Sequence, residues 1–301
     1  MVEMEKAGVG AVVLKSIFEE QINEETSGVF KAGYGMGDAY PEAEDYIKAY
    51  IRSNTIQKYV ELVRNAKSRL TIPVIASVNC FSGGEWVSFA RQLEEAGADA
   101  LELNVFILPV NEFKESAEVE NVYFEIVKSI KSQIKIPVSV KISHYFTNLS
   151  AFVDKIKAYG ANATTLFNRF YEPDININTL EMGAASVFSS AAELRTTLRW
   201  TGILAGKDKR LEISASTGVH SGEAAVKLLL AGATTVQVCS VLYEKGIHVI
   251  EDINNFIGKW MDSKAFKTIE DYRGMLSYSS IENPDLYERA QFMKYFSNKQ
   301  Y

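Results

Sequence analysis

The residues with the clearest chemical potential are polar side chains that follow short apolar runs. Such positions recur along the chain: Lys15 and Ser16, Asn79, Asn104, Lys141, Asn168, Thr217 and Gly218, and Cys239 and Ser240. The set is rich in amides and lysines, whereas a glycosidase needs paired carboxylates and a metalloenzyme needs clustered ligands. An amide both donates and accepts hydrogen bonds, and an ammonium stabilises negative charge on a reduced heterocycle. These residue types therefore predict a site for a flat polar ring system without a metal.

Lys141 is the strongest single candidate in this set. It continues the apolar run 137–140, and a lysine in such a run is costly to bury without a partner or a function. A lone Asn after a strand is usually a turn or capping residue, but Asn104 and Asn168 follow different strands. An alternative of another class is an aldolase in which Lys141 forms a Schiff base with a carbonyl substrate.

A second signal lies in two loops near the end of the repeat pattern. Residues 216–219 (Ser-Thr-Gly-Val) and 239–242 (Cys-Ser-Val-Leu) each follow a strand and lead into a predicted helix. Backbone N–H groups at such junctions bind phosphate, and the loops after strands seven and eight of a (β/α)8 barrel form a recurrent phosphate site. The alternative is that Gly218 is a turn residue, Ser240 an N-cap and His220 a helix cap.

Strands that alternate with amphipathic helices must position these residues. The predicted strands cover residues 11–15, 73–79, 100–104, 137–141, 163–168, 211–216 and 234–239. Continuous apolar strands separated by helices predict a parallel sheet covered by helices. Three helices end on a similar Gly-Ala sequence, at Gly97, Gly160 and Gly232, where glycine supplies a left-handed C-cap. The pattern predicts an α/β fold, a (β/α)8 TIM-type barrel.

The repeat begins one strand late. About seven units can be counted, whereas the closed barrel has eight. The chain opens inside a predicted helix at residues 2–7, so we expect the first strand of the barrel to be lacking. The long connection 18–42 predicts a loop over the strand ends. The segment 170–207 predicts a long loop or insertion with a helix at 191–204.

Beyond residue 250 the pattern is helical and rich in aromatic residues. We therefore expect a barrel at residues 1–250 and a helical extension at residues 251–301, and the aromatic side chains predict packing on the barrel or a homodimer contact.

The composition argues against several other classes of protein. The 301 residues are 47% hydrophobic and carry a net charge of -6, so a large core is expected and no basic face for nucleic acid is indicated. No apolar run approaches the roughly 20 residues that cross a bilayer. Cys80 and Cys239 lie in different repeats, which argues against a disulfide framework and favours the cytoplasm. The expected partner is a small-molecule substrate.

The residues named above resemble those of the dihydroorotate dehydrogenase family, whose members are flavin-dependent (β/α)8 barrels. The resemblance rests on the segments 8–16 and 95–104, on Lys141 after Val-Ser-Val, on Asn168, and on the two loops at residues 217–219 and 239–240. It implies that FMN is the cofactor and that Lys15, Ser16, Asn104, Lys141 and Asn168 contact the flavin. It further implies that Asn104 and Asn168 contact the substrate, and that Thr217, Gly218, Cys239 and Ser240 hold the FMN phosphate.

One departure concerns the catalytic base. The family carries a Cys or Ser base shortly after the residue matched by Asn104, and Ile107 stands at that position here. Glu112, Ser116 and Cys80 are nearby polar residues that fit ordinary loop roles better. The resemblance implies oxidation of the CH-CH bond of a dihydropyrimidine-like ring, in pyrimidine biosynthesis, with an unassigned base. The alternative within this resemblance is a degenerate flavin-binding paralogue without catalysis.

Overall fold

Residues 1–18, 41–79, 83–169, 172–207 and 212–288 are described by the structure, which is a computed structural model. Most of the predicted connection at 18–42, Cys80 and the end of the aromatic tail lie outside the described residues. The chain divides into two compact units. Unit 1 comprises Met1–Ile142 and Phe146–Ala163, and unit 2 comprises Ser143–Tyr145 and Thr164–Tyr301.

Unit 1 alternates strands and helices, as predicted. Its elements are α1 (Val2–Lys6), β1 (Val12–Val13), β2 (Ile17–Phe18), α2 (Pro41–Arg69), β3 (Val74–Asn79), α3 (Gly83–Glu95), β4 (Ala100–Asn104), α4 (Ser116–Lys131), β5 (Val138–Ile142) and α5 (Leu149–Ala158). The strand order is β1-β3-β4-β5, all pairs are parallel, and β2 also pairs with β3. The carboxyl ends of these strands therefore lie along one edge of the sheet.

Unit 2 continues the same pattern with an added hairpin. Its elements are β6 (Ala163–Leu166, from Thr164 on), β7 (Pro173–Asn176), β8 (Glu181–Ala184), a 3-10 turn (Ala191–Glu193), α6 (Leu194–Lys207), β9 (Glu212–Ala215), α7 (Gly222–Ala231), β10 (Thr235–Val236), α8 (Ser240–Lys245), α9 (Val249–Ser263), a 3-10 turn (Ile269–Asp271) and α10 (Asp285–Glu288). The order β6-β9-β10 is separate from the antiparallel pair β7-β8. Within the predicted insertion, residues 173–207 form a hairpin followed by the predicted helix.

The predicted parallel sheet is confirmed, and its strands in unit 1 carry polar residues at alternate positions. In β3, Val74, Ala76 and Val78 are buried almost completely, and the alternate positions carry Ile75 and the buried polar residues Ser77 and Asn79. The same alternation places Glu102 and Asn104 together on β4, and Ser139 and Lys141 together on β5. Because side chains alternate between the faces of a strand, one face of this sheet is apolar and the other carries polar groups.

The three predicted glycine C-caps are confirmed. Gly97, Gly160 and Gly232 have φ values of 96°, 109° and 116°, in the region that residues with a Cβ rarely adopt. At Gly232, the backbone N–H donates to the carbonyls of Leu228 and Leu229, which closes the last turn of α7. Each glycine ends a helix and lets the chain turn back into the next strand.

The residue two positions after each glycine joins its own strand to the preceding one. The pairs are Asp99 with Val74, Asn162 with Val138 and Thr234 with Ile213. In each pair the polar residue donates its N–H to the backbone carbonyl of the strand residue, at 2.9, 2.8 and 2.8 Å respectively. Its side-chain oxygen accepts the N–H of that strand residue, at 2.6, 3.0 and 3.3 Å. The repeated Gly-Ala sequence therefore marks a repeated hydrogen-bonding device.

Asp99→Ala is expected to lower the free energy of unfolding by about 1–2 kcal/mol, because it leaves the Val74 N–H without its acceptor and removes the Lys67 ion pair. Lys67 Nζ lies 2.7 Å from Asp99 Oδ2. Partial burial raises the pKa of Asp99, but the hydrogen bonds from Lys67 and the Val74 N–H bring that pKa below its usual value. Urea unfolding of Asp99→Ala and Asp99→Asn checks this. Asp99→Asn retains an acceptor and should cost less, and equal losses in the two variants would contradict the explanation.

The predicted helical extension is only partly helical. Helix α9 ends at Ser263, and Ala265 has a φ of 59°. Trp260, Phe266 and Tyr272 then form an aromatic cluster with ring centroids 4.9–5.7 Å apart. The aromatic spacing arises from side chains packed around a turn rather than from one continuous helix. The domain boundary at residue 250 stays a prediction.

Among the described helices, none combines the length and the apolar character that a bilayer span requires.

Candidate active site

The carboxyl ends of β3, β4 and β5 carry adjacent polar side chains in unit 1. Asn79 ends β3, Asn104 ends β4, and Lys141 is the next-to-last residue of β5. Asn104 pairs in register with Lys141. Asn79 and Asn104 are both buried, with exposed fractions of 2% and 7%. The sheet therefore brings amides and an ammonium together at the edge where the sequence predicts a site.

A hydrogen-bond network connects the first strands to this edge. Ser16 Oγ lies 2.6 Å from Ser77 Oγ, and Asn104 Nδ2 donates to Ser16 Oγ at 3.4 Å. The Tyr59 hydroxyl donates to the Ser77 carbonyl at 2.9 Å and accepts the Ser77 N–H at 3.0 Å. The structure thus brings Ser16 and Asn104 together. Lys15 lies in the short connection between β1 and β2 and is exposed.

Glu102 is a site residue that the sequence reasoning missed. Its side chain is only 3% exposed and lies 3.6 Å from Lys141 Nζ, whose side chain is 21% exposed. A buried carboxylate needs a partner, and Lys141 supplies the opposite charge. The signal was present in the sequence, because Glu102 precedes Asn104 by two residues and strand alternation places both on one face.

The buried Tyr59 predicts a loss of stability at alkaline pH. Burial raises the pKa of Tyr59 to about 12, the Ser77 N–H lowers it, and the charge of Glu102 raises it further. Because the pKa of a tyrosine in the unfolded chain is about 10, the contribution of Tyr59 is fully present below pH 10 and is lost as the pH rises toward 12.

The urea midpoint is therefore expected to fall between pH 10 and pH 12, and to fall less steeply in Tyr59→Phe. Tyr59→Phe should also be less stable than the wild type at pH 8, because it loses both bonds to Ser77. Urea titrations at pH 8, 10, 11 and 12 measure both effects. Parallel alkaline profiles for the two proteins would contradict this assignment.

Thr217 and Gly218 form a tight turn in unit 2. Both have positive φ values, 79° and 82°. Thr217 Oγ1 donates to the Phe167 carbonyl at 3.0 Å, and a Cβ on Gly218 would lie 2.2 Å from the backbone nitrogen of Leu194. This turn is held between the end of β6 and the start of α6. Asn168, which follows Phe167, is half-buried.

Ser240 and His220 do not act as helix caps, which corrects the alternative reading of both. Ser240 Oγ accepts the Ser189 N–H at 3.0 Å and the Ser189 hydroxyl at 3.1 Å. His220 Nε2 lies 3.1 Å from Ser189 Oγ, and its Nδ1 lies 3.4 Å from Glu244 Oε2. The N-cap of α7 is Ser221 instead. These contacts connect the loop before α6 to α8. The partners are far apart in sequence, so local capping rules do not predict them.

A cavity of about 510 Å³ adjoins these contacts within unit 2. It is lined by Arg169, Glu172, Ala185, Ser186, Phe188, Ser189, Ser190, Ala191, Glu193, His220 and Glu244. Arg169 pairs with Glu193 at 3.1 Å and with Glu172 at 3.6 Å, so its charge is already balanced. The predicted phosphate residues Thr217, Gly218, Cys239 and Ser240 are not in this lining. Cys239 is exposed and precedes α8 without capping it through its side chain.

The loop after β4 contains the position at which the resemblance places the base. Ile107 is half-buried there, and the buried Tyr123 hydroxyl hydrogen-bonds with its backbone. Glu112 and Ser116 are exposed. Cys80 lies outside the described residues. Amides, hydroxyls and an ammonium at the strand ends can bind a polar ring, and none of these loop residues is placed by its contacts as a base.

Comparison with known proteins identifies relatives of this chain. The family model for dihydroorotate dehydrogenase matches residues 51–261. The catalytic subunit of dihydroorotate dehydrogenase B (NAD(+)) from Thermoplasma acidophilum is 30% identical over 281 residues, which cover 91% of this chain and 89% of the relative. The corresponding subunit from Pyrococcus furiosus is 26% identical over 289 residues, which cover 90% and 87%.

A solved structure shares the fold. The crystal structure of dihydroorotate dehydrogenase from Eimeria tenella in complex with ferulenol matches with a TM-score of 0.58 and 15% sequence identity. The match covers 73% of this chain and 67% of that chain. It confirms the predicted fold class, an α/β fold of the TIM-barrel type.

Proposed function

This chain belongs to the dihydroorotate dehydrogenase family, and we propose from that premise that it uses FMN to oxidise a dihydropyrimidine-like ring. Family membership gives the coarser function, an oxidoreductase of pyrimidine biosynthesis that acts on a CH-CH bond. The cofactor, the substrate and the roles of individual residues are the proposed part. Relatives named as catalytic subunits of an NAD(+) enzyme suggest NAD(+) as the electron acceptor to test.

The observation that carries the proposal is a donor group and an acceptor in the same part of unit 1, neither of which has a hydrogen-bond partner among the described residues. Lys141 Nζ makes no hydrogen bond within the described residues, since Glu102 lies 3.6 Å away. Asn79 Oδ1 is buried and accepts no hydrogen bond from the residues that the structure describes. A buried polar atom without a hydrogen bond, such as Asn79 Oδ1, is costly and rare in folded proteins. The isoalloxazine ring of FMN carries carbonyl oxygens and a ring N–H, so the residues present fit this cofactor.

The remaining roles follow the resemblance. Lys15, Ser16, Asn104, Lys141 and Asn168 would contact the isoalloxazine, and Asn104 and Asn168 would also contact the substrate. Thr217, Gly218, Cys239 and Ser240 would hold the phosphate through the two loops of unit 2. FMN, when bound, accepts the hydride that leaves the substrate ring. The strained φ of Thr217 supports a functional turn at this position, because such strain concentrates at binding sites.

The residues of this chain would bind the flavin and orient the substrate, while the group that removes the substrate proton is not assigned. Ile107 has no ionisable side chain at the family's base position. Lys141 would stabilise negative charge on the reduced ring, and the amides of Asn104 and Asn168 would orient the substrate through paired donors and acceptors. We therefore expect FMN binding to be retained and dihydroorotate oxidation to be slow relative to family members that carry Cys or Ser at this position.

Absorption spectroscopy of the purified full-length protein tests the proposal. We expect flavin bands, as isolated or after incubation with FMN, and bleaching of these bands when dihydroorotate is added anaerobically. A colourless protein that takes up no FMN would overturn the proposal. Bound flavin that neither dihydropyrimidines nor NADH can reduce would instead support the non-catalytic paralogue and overturn the enzymatic assignment.

The family model and the relatives named above concern dihydroorotate dehydrogenases, and they do not support the Schiff-base aldolase. A cytoplasmic location, based on the two separated cysteines, and association into a homodimer stay predictions.

A further inference from the structure

Glu102 is a charged residue, 3% exposed, that the proposed cofactor contacts do not include. It lies on β4 between Leu101 and Leu103, both fully buried. Removing a carboxylate from water is expensive unless a paired charge and hydrogen bonds compensate for the lost hydration. A neutral residue at this position would avoid that desolvation cost.

The register of the strands explains how Glu102 meets Lys141. Glu102 lies opposite Ser139, whereas Lys141 lies opposite Asn104. The Lys141 side chain must reach back by two residue pairs, toward the amino ends of the strands, to bring its ammonium to 3.6 Å from the Glu102 carboxylate. The carboxylate thus draws the ammonium toward the amino end of β4, to the level of Glu102 rather than that of Asn104.

The contact is an ion pair without a direct hydrogen bond. At 3.6 Å the attraction between the charges is strong in a partly buried site, while the three N–H donors of Lys141 remain free of described protein acceptors. The arrangement holds the charge in place and leaves its donors for a ligand. The nearby Tyr59 hydroxyl is engaged with the Ser77 backbone, and its raised pKa of about 12 keeps it neutral.

We propose that Glu102 is a positioning residue that holds Lys141 against the bound flavin and partly neutralises its charge. The inference rests on the proposed FMN function. Reduced flavin carries more negative charge than oxidised flavin, so the net positive charge beside the ring determines how much more tightly the reduced form binds. Glu102 would therefore limit the preference of the protein for reduced FMN.

Glu102→Gln tests this directly, because it removes the negative charge and nearly preserves the shape. We expect the ratio of affinities for reduced over oxidised FMN to rise about tenfold, an increase of about 30 mV in the two-electron potential. The potential is measured by anaerobic dye equilibration, and the affinity for oxidised FMN by fluorescence titration. Lys141→Gln should shift the ratio in the opposite direction.

Two controls separate this role from a structural one. Glu61→Gln removes the same charge from an exposed position on α2 and should leave the potential unchanged. Glu102→Asp keeps the charge and should leave the affinity ratio within about twofold of the wild type. If Glu102→Gln lowers thermal stability but leaves the potential unchanged, Glu102 is merely structural and the inference is overturned.

A double variant covers the case in which Glu102→Gln does not fold. Glu102→Gln alone leaves a buried ammonium uncompensated, whereas Glu102→Gln with Lys141→Gln removes both charges. The double variant should therefore regain thermal stability relative to Glu102→Gln. A double variant less stable than either single variant would overturn the coupling. Failure of the wild type to bind FMN would instead overturn the proposed function, so the two outcomes are distinguishable.

Discussion

Gly218→Ala is expected to lower the free energy of unfolding by about 3 kcal/mol or more. The added Cβ would lie 2.2 Å from the Leu194 nitrogen and 2.7 Å from its Cα, and neither backbone atom can rotate away. The φ of 82° adds strain for any residue with a Cβ. Overpacking and backbone strain each cost about 1–3 kcal/mol. Because both act at Gly218, this substitution has the largest destabilising effect among our predictions.

Gly258→Ala is the matched control for this prediction. Gly258 lies within α9, and an added Cβ there would meet no atom within 4 Å. The same chemical change should stabilise the protein by about 0.5–1 kcal/mol, because alanine favours helix. Urea unfolding monitored by circular dichroism gives both values. Similar free-energy changes in the two variants would show that the close approach at Gly218 relaxes.

Gly218→Ala should also weaken FMN binding through the predicted phosphate loop. Gly218 lies between Thr217, which contacts the Phe167 carbonyl, and the turn that leads into α7. If the alanine variant folds at low temperature, we expect its FMN affinity to fall by at least tenfold, because the Thr217 N–H and its neighbours would be displaced. Fluorescence titration with FMN measures the change, and unchanged affinity would remove this loop from the proposed site.

Local signals in the sequence were sufficient for the alternation of elements and their ends. Gly97, Gly160 and Gly232 predicted helix ends correctly because a left-handed cap depends on backbone sterics alone. The strand-end positions of Asn104 and Lys141 followed from counting apolar residues. These features depend on neighbours a few residues apart, so a single sequence contains them.

Tertiary contacts explain what the sequence did not reveal. His220 lies beside a helix start, and local rules favour a cap, yet it contacts Ser189 and Glu244. Glu102 does not end its strand, so the strand-end pattern does not include it, although it lies two residues before Asn104 on the same face. The aromatic residues near α9 gave a helical spacing, whereas their contacts form around a turn. The partners of His220 and the Lys141 partner of Glu102 are distant in sequence, and no local pattern specifies these pairings.

Asn79→Leu is expected to weaken FMN binding by about 10- to 100-fold while leaving the apoprotein at least as stable as the wild type. Asn79 is 2% exposed, and its Oδ1 has no hydrogen-bond partner in the described part of the chain. An unpaired buried acceptor costs about 1–3 kcal/mol, and an apolar residue of similar shape removes that cost. The same acceptor is available to the ring N–H of a bound flavin, so its removal should cost about the same amount of binding energy.

The opposite directions of these two effects make the prediction specific. If Asn79 only supported the strand, its replacement would lower both the stability of the apoprotein and its affinity for FMN. If its acceptor serves a ligand, replacement should raise the stability and lower the affinity. Asn121→Leu makes the same substitution on an exposed position of α4 and should not change FMN affinity. Thermal unfolding of the apoprotein and fluorescence titration with FMN distinguish the cases. A less stable Asn79→Leu protein with wild-type affinity would show that the amide serves the fold, and Lys141 alone would then support the proposed flavin site.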